Sequence, residues 1–391
     1  MLAVVGRISH EAVSPAFGQR NLNPREHAVM RSWIQHTRGR HVRQARVGLG
    51  DLREEHISRQ GFFGPVAMIY REHGPNEVVR VEGTLLPRSV ADTTRVETTD
   101  QFDPRGGPEV MLSNTDVSVA VSRRTAAMPY AYRDLDGDLL YFVHQGTGAF
   151  ATEFGRLAYE PGDYVLIPKS VTFSLMPDKG DSHMLVVESP APLELTEHKQ
   201  TGRHMPVDPT VLVLPELCDY GFPAADEYEL RVKHGGQHSS IFYRNNPLVS
   251  VGWKGDLFPF KLNIRDIIPI SSDRIHIAPS AWCTFQGAGF VVISFVPQVA
   301  VADLNAEELP SYHRNVDNDE SVFVHHDAGS ARKPATLSHV PQGILHGADE
   351  ATRAAFNAKR VPGMRRTLCG VSVDTDRPLT QSVAFQRVSG G

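Results

Sequence analysis

His313, Glu320 and His346 are the residues of this 391-residue chain whose types and spacing point most directly to chemistry. Two imidazoles and one carboxylate on one face of an ion leave the opposite face to substrate and O2, which is how ferrous oxygenase sites are built. His313 and Glu320 flank the turn RNVDND, so both can project into one barrel mouth; His346 arrives from a later strand, after Pro341 and Gly343. The same donors suit a zinc hydrolase, and residue types alone leave the metal open. Each residue also has an ordinary reading, as a turn histidine, a strand-start charge and a polar residue before a helix. Jointly those readings fail, because Glu320 begins the apolar run SVFV and His346 ends GIL, where an unpaired polar group is costly if buried.

Two further histidines enter the argument. His276, in SSDRIHIAPSAW, lies in a strand-like run between turn signals and can reach the same mouth as a general base; the alternative is a satisfied structural histidine. His339, seven residues before His346, is a candidate for a group behind the metal or on its oxygen side, again against a structural role. His325 and His326 follow the VFV run, where strand alternation puts His326 on the Glu320 side and His325 opposite. Asp317, Asn318 and Asp319 read as a turn, since the glycine and the spaced glutamate of a calcium loop are missing.

The elements that must position these residues are signalled by an internal repeat. YRDLDGDLLYFVH at 132–144 and HRNVDNDESVFVH at 313–325 align without a gap, and IPKSVTFSL aligns with VPQGILHGA further on. Tyr132 then stands over His313, Leu139 over Glu320, His144 over His325 and Phe173 over His346. Two copies of one barrel unit are implied, and only the second carries ligand types.

Short β-rich runs between Gly, Pro, Asp and Asn from Gly64 to Glu188, and again over roughly 249–346, predict a mainly β chain of sandwich or barrel units with a few short helices. The expected division is 1–248, with a barrel lacking metal ligands, and 249–391, with the metal site. The proline-rich stretch 189–248 reads as a connection wrapping over barrel surfaces. Helices are predicted from Asn23, which can cap, to His36, and from Asp349 to Lys359, closed by Pro362 and Gly363.

Bulk properties exclude several classes. Hydrophobic content of 41% and charged content of 22% are ordinary for globular proteins, and a net charge of -5 gives no footprint for nucleic acid or an anionic membrane. Cys218, Cys283 and Cys369 lie far apart and without CxxC spacing, which argues against a disulfide framework and for a reducing cytoplasm. No window of about 18 apolar residues and no basic leader before a long apolar core occur, so the expectation is a soluble, unexported protein.

The stretch from Trp253 to about Arg360 resembles the C-terminal half of homogentisate 1,2-dioxygenases. WKGDLFPFKLN is similar to the family's Trp-x-Gly-x-x-x-Pro-Tyr-Lys segment, HIAPS to its His-Ala-Asp-Pro-Ser, YHRN to its Tyr-His-Arg-Asn, and His346-Gly347 to its Pro-His-Gly. The resemblance implies a two-domain protein of two cupin-like, jelly-roll barrels, with Fe(II) on His313, Glu320 and His346, His276 as acid/base beside the substrate hydroxyls, and His339 as a second active-site histidine. It also implies a trimer or hexamer and a reaction that opens a hydroquinone-type aromatic acid with both atoms of O2. In the family the glutamate follows the first histidine after five intervening residues. Here Asp319 has that spacing and Glu320 has six; Glu320 is preferred because it starts the matched strand, with Asp319 as the fallback. The family's tyrosine soon after the glutamate is absent, and RKPATLSHVPQ replaces its glycine-rich approach to the last histidines. The rival expectations are another cupin metalloenzyme, an isomerase or hydrolase, and a bicupin binding protein without catalysis.

Overall fold

A computed structural model describes residues 36–391 except 61–62, 85–87, 179, 198–205, 219, 221, 223, 278, 310–311, 329–331 and 390–391. The helix expected from Asn23 lies outside the described residues. The chain is mainly β, and the repeat reappears as strand pairing. Tyr132 pairs with Phe173 and Leu139 with Ile167; in the second copy His313 pairs with His346 and Glu320 with Val340. The turns before Phe173 and His346 are alike as well. Ser170 (φ 71°) and Gly343 (φ 73°) are both left-handed, and their N–H groups donate to Asp134 O and Asn315 O, each at 2.8 Å.

Each copy contributes a seven-stranded sheet. In the first, Asp163–Ile167, Asp138–Gln145, His183–Ser189, Ser118–Ser122 and Glu109–Ser113 run side by side. In the second the order is Cys283–Gly287, Phe290–Phe295, Cys369–Thr375, Asp319–His326 and Thr336–Val340. A smaller sheet completes each cupin-like unit. The runs LLYFV and YVLI are apolar throughout because both faces are covered. Leu139, Tyr141, Val143, Val165 and Ile167 face the first barrel's interior core, whereas Leu140, Phe142, Tyr164 and Leu166 join a core shared with the second sheet.

At that shared core equivalent residues of the two copies meet. Phe142 and Phe323 have ring centroids 6.3 Å apart, and His144 Nδ1 lies 3.0 Å from His325 Nδ1. His325 thus takes the face opposite Glu320, as alternation predicts. One buried aspartate also recurs. Asp138 accepts from the N–H of Lys169 and Leu193, and Asp319 from the N–H of Gln342 and Leu379.

Strand pairing crosses residue 248 in both directions. Ser89–Asp92 and Glu194–Leu195 extend the second sheet, and Phe260–Asn263 and Thr380–Gln381 extend the first. Arg53–Gln60 pairs in parallel with Tyr312–Asn315, with His56 beside His313. The division into 1–248 and 249–391 stays a proposal about which residues form each barrel's centre. Within 189–248 the connection is more ordered than its prolines suggest: Tyr228–His234 pairs with Ala131–Asp134 and buries Leu230 and Val232, because its YELRVKH alternates as a strand does. The helix Glu350–Lys359 forms where expected, capped by the Asp349 side chain accepting from Thr352 N–H. Among the described residues no helix is long and apolar enough to cross a membrane, and the three cysteines are free thiols.

Two predictions follow from this packing. Burial pushes His144 and His325 down to about 4 and His183 to about 3; each is lowered further by a neighbour, His325, His326 and His144 respectively, and Arg123 adds to the last while Asp92 opposes it. Unfolded, each titrates near 6.5, so their contribution is complete above that pH and is lost as pH falls toward 4, where the unfolded chain binds protons that the native chain refuses. Acid unfolding followed by tryptophan fluorescence is expected in that window, and a His144→Gln/His325→Gln double variant should shift the midpoint to lower pH; an unmoved midpoint would remove these histidines as the cause. Asp319→Ala is expected to cost about 3 kcal/mol in denaturant unfolding, since it strands buried donors that faced a charged acceptor.

Candidate metal centre

His313 lies on the strand Tyr312–Asn315 and is buried. Its N–H donates to His346 O at 2.9 Å, and the His346 N–H donates back to His313 O at 3.0 Å. This reciprocal pair sets the two rings 4.0 Å apart. His346 Nδ1–H donates to Ile344 O at 2.9 Å, which leaves Nε2 as the lone-pair nitrogen. That Nε2 lies 3.4 Å from Glu320 Oε2, and His313 Nε2 lies 3.9 Å from the same oxygen. One donor atom from each residue falls within 4.8 Å of the others. These separations are long for hydrogen bonds but close to the roughly 3.0–3.4 Å expected between neighbouring ligands of one ion bonded at about 2.1 Å.

The electrostatics match that arrangement. Burial raises the Glu320 carboxyl, but His346 and His313 outweigh it and hold the group well below the usual carboxylate range. Burial lowers His346, and Glu320 overrides it. Asp374, the cross-strand partner of Glu320, is pushed up to about 8 by burial and by the Glu320 charge. It was not legible in the sequence, where the only signal is one acid inside the apolar run CGVSVDT.

The equivalent place in the first barrel is filled. Tyr132 and Phe173 stack edge to face at 5.5 Å, and Phe173, Leu139, Tyr141 and Phe150 form a closed apolar interior. A second acidic group among the described residues, Asp134, Asp136 and Glu188, has the Lys233 ammonium against it.

The remaining predicted residues divide. His276 is buried, and burial first, then Arg46, Arg366 and His313, push it down to about 2, so it stays neutral within electrostatic reach of His313. His339, expected as a second active-site histidine, is not brought to the triad. It pairs with Ser321, one step out of phase with Glu320, and so faces the core between the sheets. There its Nε2–H donates to Asp319 at 2.7 Å and its Nδ1 accepts from Gln381 at 2.9 Å. Seven residues separate His339 from His346, but a strand end and a left-handed turn lie between them. Asp319, the fallback carboxylate, shares that face and is occupied by His339 and two backbone N–H groups.

Sequence reasoning also missed the strand beside His313. On Arg53–Gln60, Glu54, His56 and Ser58 are buried, and His56 Nε2–H donates to Glu54 at 2.5 Å. Nothing in REEHISRQ signals a neighbour some 260 residues away.

A family profile described as the N-terminal part of homogentisate 1,2-dioxygenase matches residues 86–264. A Saccharolobus solfataricus protein whose name presents it as a candidate dioxygenase is 24% identical over 359 residues, 86% of this chain and 91% of that one. The homogentisate 1,2-dioxygenase of Bradyrhizobium diazoefficiens is 28% identical over 47% of this chain and 43% of its own length. That of Pseudomonas putida is 26% identical over 68% of this chain and 61% of its own. The matches to these two enzymes therefore span about half their lengths. The N-terminal profile match and these two partial matches make the chain similar to homogentisate 1,2-dioxygenases, and His313, Glu320 and His346 lie in the repeat copy that follows the profile match.

Proposed function

We propose that His313, Glu320 and His346 hold Fe(II), and that the protein is a ring-cleaving dioxygenase that inserts both atoms of O2 into homogentisate or a related hydroxylated aromatic acid. The observation that supports this most is the convergence of three donor groups in the second barrel, at positions filled by Tyr132, Leu139 and Phe173 in the apolar core of the first. The relatives named as dioxygenases support the reaction type. The same reading expects O2 and a small aromatic molecule as the partners, a trimer or hexamer, and a cytoplasmic setting in which the three thiols stay reduced.

Bound Fe(II) supplies the redox chemistry, giving the electron-rich ring a route to O2. The chain's own residues do the rest. The Ile344 carbonyl fixes the His346 tautomer so that Nε2 faces the site. The substrate hydroxyl proton is assigned to His276; burial and the nearby cations keep its free form neutral and weakly basic, and the negative charge left on the substrate oxygen would stabilise the imidazolium that forms. Glu320 stays ionised between the two imidazoles and offers an anionic oxygen.

Protein prepared anaerobically with Fe(II) is expected to bind one iron per chain and to consume O2 with a hydroxylated aromatic acid in a panel that includes homogentisate and gentisate. His313→Ala and Glu320→Gln should weaken iron binding at least about 100-fold, whereas Asp319→Asn should keep it. Iron retained by His313→Ala after dialysis would sink the site assignment. His276→Gln is expected to keep its iron and lose about 10²–10⁴-fold in kcat; an unchanged kcat would remove it from the proton step.

A further inference from the structure

Ser89–Asp92 is a short strand from the first half of the chain that closes the edge of the second seven-stranded sheet. Its register against Thr336–Val340 pairs Val90 with Ser338 and Ser89 with His339, and Arg88 directly precedes the strand at its Val340 end. Val340 pairs with Glu320, and Glu320 with Asp374. Side chains of antiparallel partners share a face, so Val340, Glu320 and Asp374 form one row across the wall that carries the triad, and strand alternation carries Arg88, two residues before Val90, toward the same face. The Arg88 charge is accordingly felt by Glu320 and by His346. Val90, two residues on, lies on the same face and is 40% exposed.

Arg88 is exposed and, among the described residues, makes no hydrogen bond or ion pair. Its nearest electrostatic neighbours are Arg332, which repels it, and Glu320, which attracts it. A divalent ion on the triad would bring two positive charges against the single negative charge of Glu320. Arg88 would then face net positive charge from two sides, a cost relieved by an anion placed among them. A guanidinium beside an exposed valine suits a planar ring that bears a carboxylate, with two parallel N–H groups for the acid and an apolar wall for the ring.

We propose that Arg88 is the residue that binds the carboxylate of the substrate, and so makes this site selective for anionic aromatic compounds over their neutral analogues. The inference rests on the triad as a metal-dependent dioxygenase site, but its test reads binding and does not need turnover. Titration calorimetry of the Fe(II)-loaded chain under nitrogen, with homogentisate and with its methyl ester, compares wild type, Arg88→Gln and Arg88→Lys, and iron content is measured on each sample. Wild type should bind the acid at least about tenfold more tightly than the ester. Arg88→Gln should lose about tenfold for the acid and leave the ester unchanged, and Arg88→Lys should recover part of the loss. Equal affinity of wild type and Arg88→Gln for the acid overturns the proposal. So does a parallel loss for acid and ester with iron intact, which would make Arg88 a structural residue, and so does binding of neither compound to iron-loaded wild type. Wild type without iron that still prefers the acid through Arg88 would uphold the proposal while refuting the metal assignment.

Discussion

Two backbone hydrogen bonds, exchanged between His313 and His346, hold the centre of this protein together. They bring into contact two segments that lie more than thirty residues apart and set their imidazoles side by side, so that Glu320 from the adjoining sheet completes the group. The geometry does not depend on long, flexible side chains finding each other, because main-chain pairing has already placed the Cα atoms. The left-handed turn at Gly343 and the Ile344 carbonyl then orient His346. The same pairing in the first copy joins Tyr132 to Phe173, and there it yields only packing.

The two barrels divide the work through what fills them. In the first, Leu139, Tyr141, Phe150 and Phe173 are buried together in an apolar interior core. In the second, the wall carries the buried Ser338 and Ser372 and the half-buried Glu320 and Asp374, polar groups that would be unfavourable there without partners. The two sheets are joined by the shared core between them, where Phe142 meets Phe323 and Tyr164 meets Phe285. The first copy thereby acts as a scaffold for the second.

Exchange of strands binds the halves further. Arg53–Gln60 lies against the His313 strand, and Ser89–Asp92 against the strand that ends at Val340. Residues from the first quarter of the chain, His56 and Arg88 among them, thus form part of the second barrel's wall. A substitution in either segment is a change to the site, although both lie more than two hundred residues from the triad in sequence.

The sequence by itself determined the fold class, the repeat and the triad as a group, because each is written in local patterns: apolar runs closed by Gly and Pro, a gapless match of YFVH to VFVH, and three ligand types at positions where the first copy has Tyr132, Leu139 and Phe173. It also located the helix capped by Asp349. Only the tertiary structure decided which face each residue takes and which strands from the other half complete each sheet. His339 faces away from Glu320 although it stands seven positions before His346, because a strand end and a turn lie between them and one step of register turns a side chain to the opposite face. Asp319 and Glu320 are adjacent in sequence and opposite in role for the same reason: one caps backbone N–H groups in the shared core, and the other looks into the barrel. Asp374, His56 and Arg88 were invisible in the sequence since their importance comes from non-local pairing, which no local periodicity encodes.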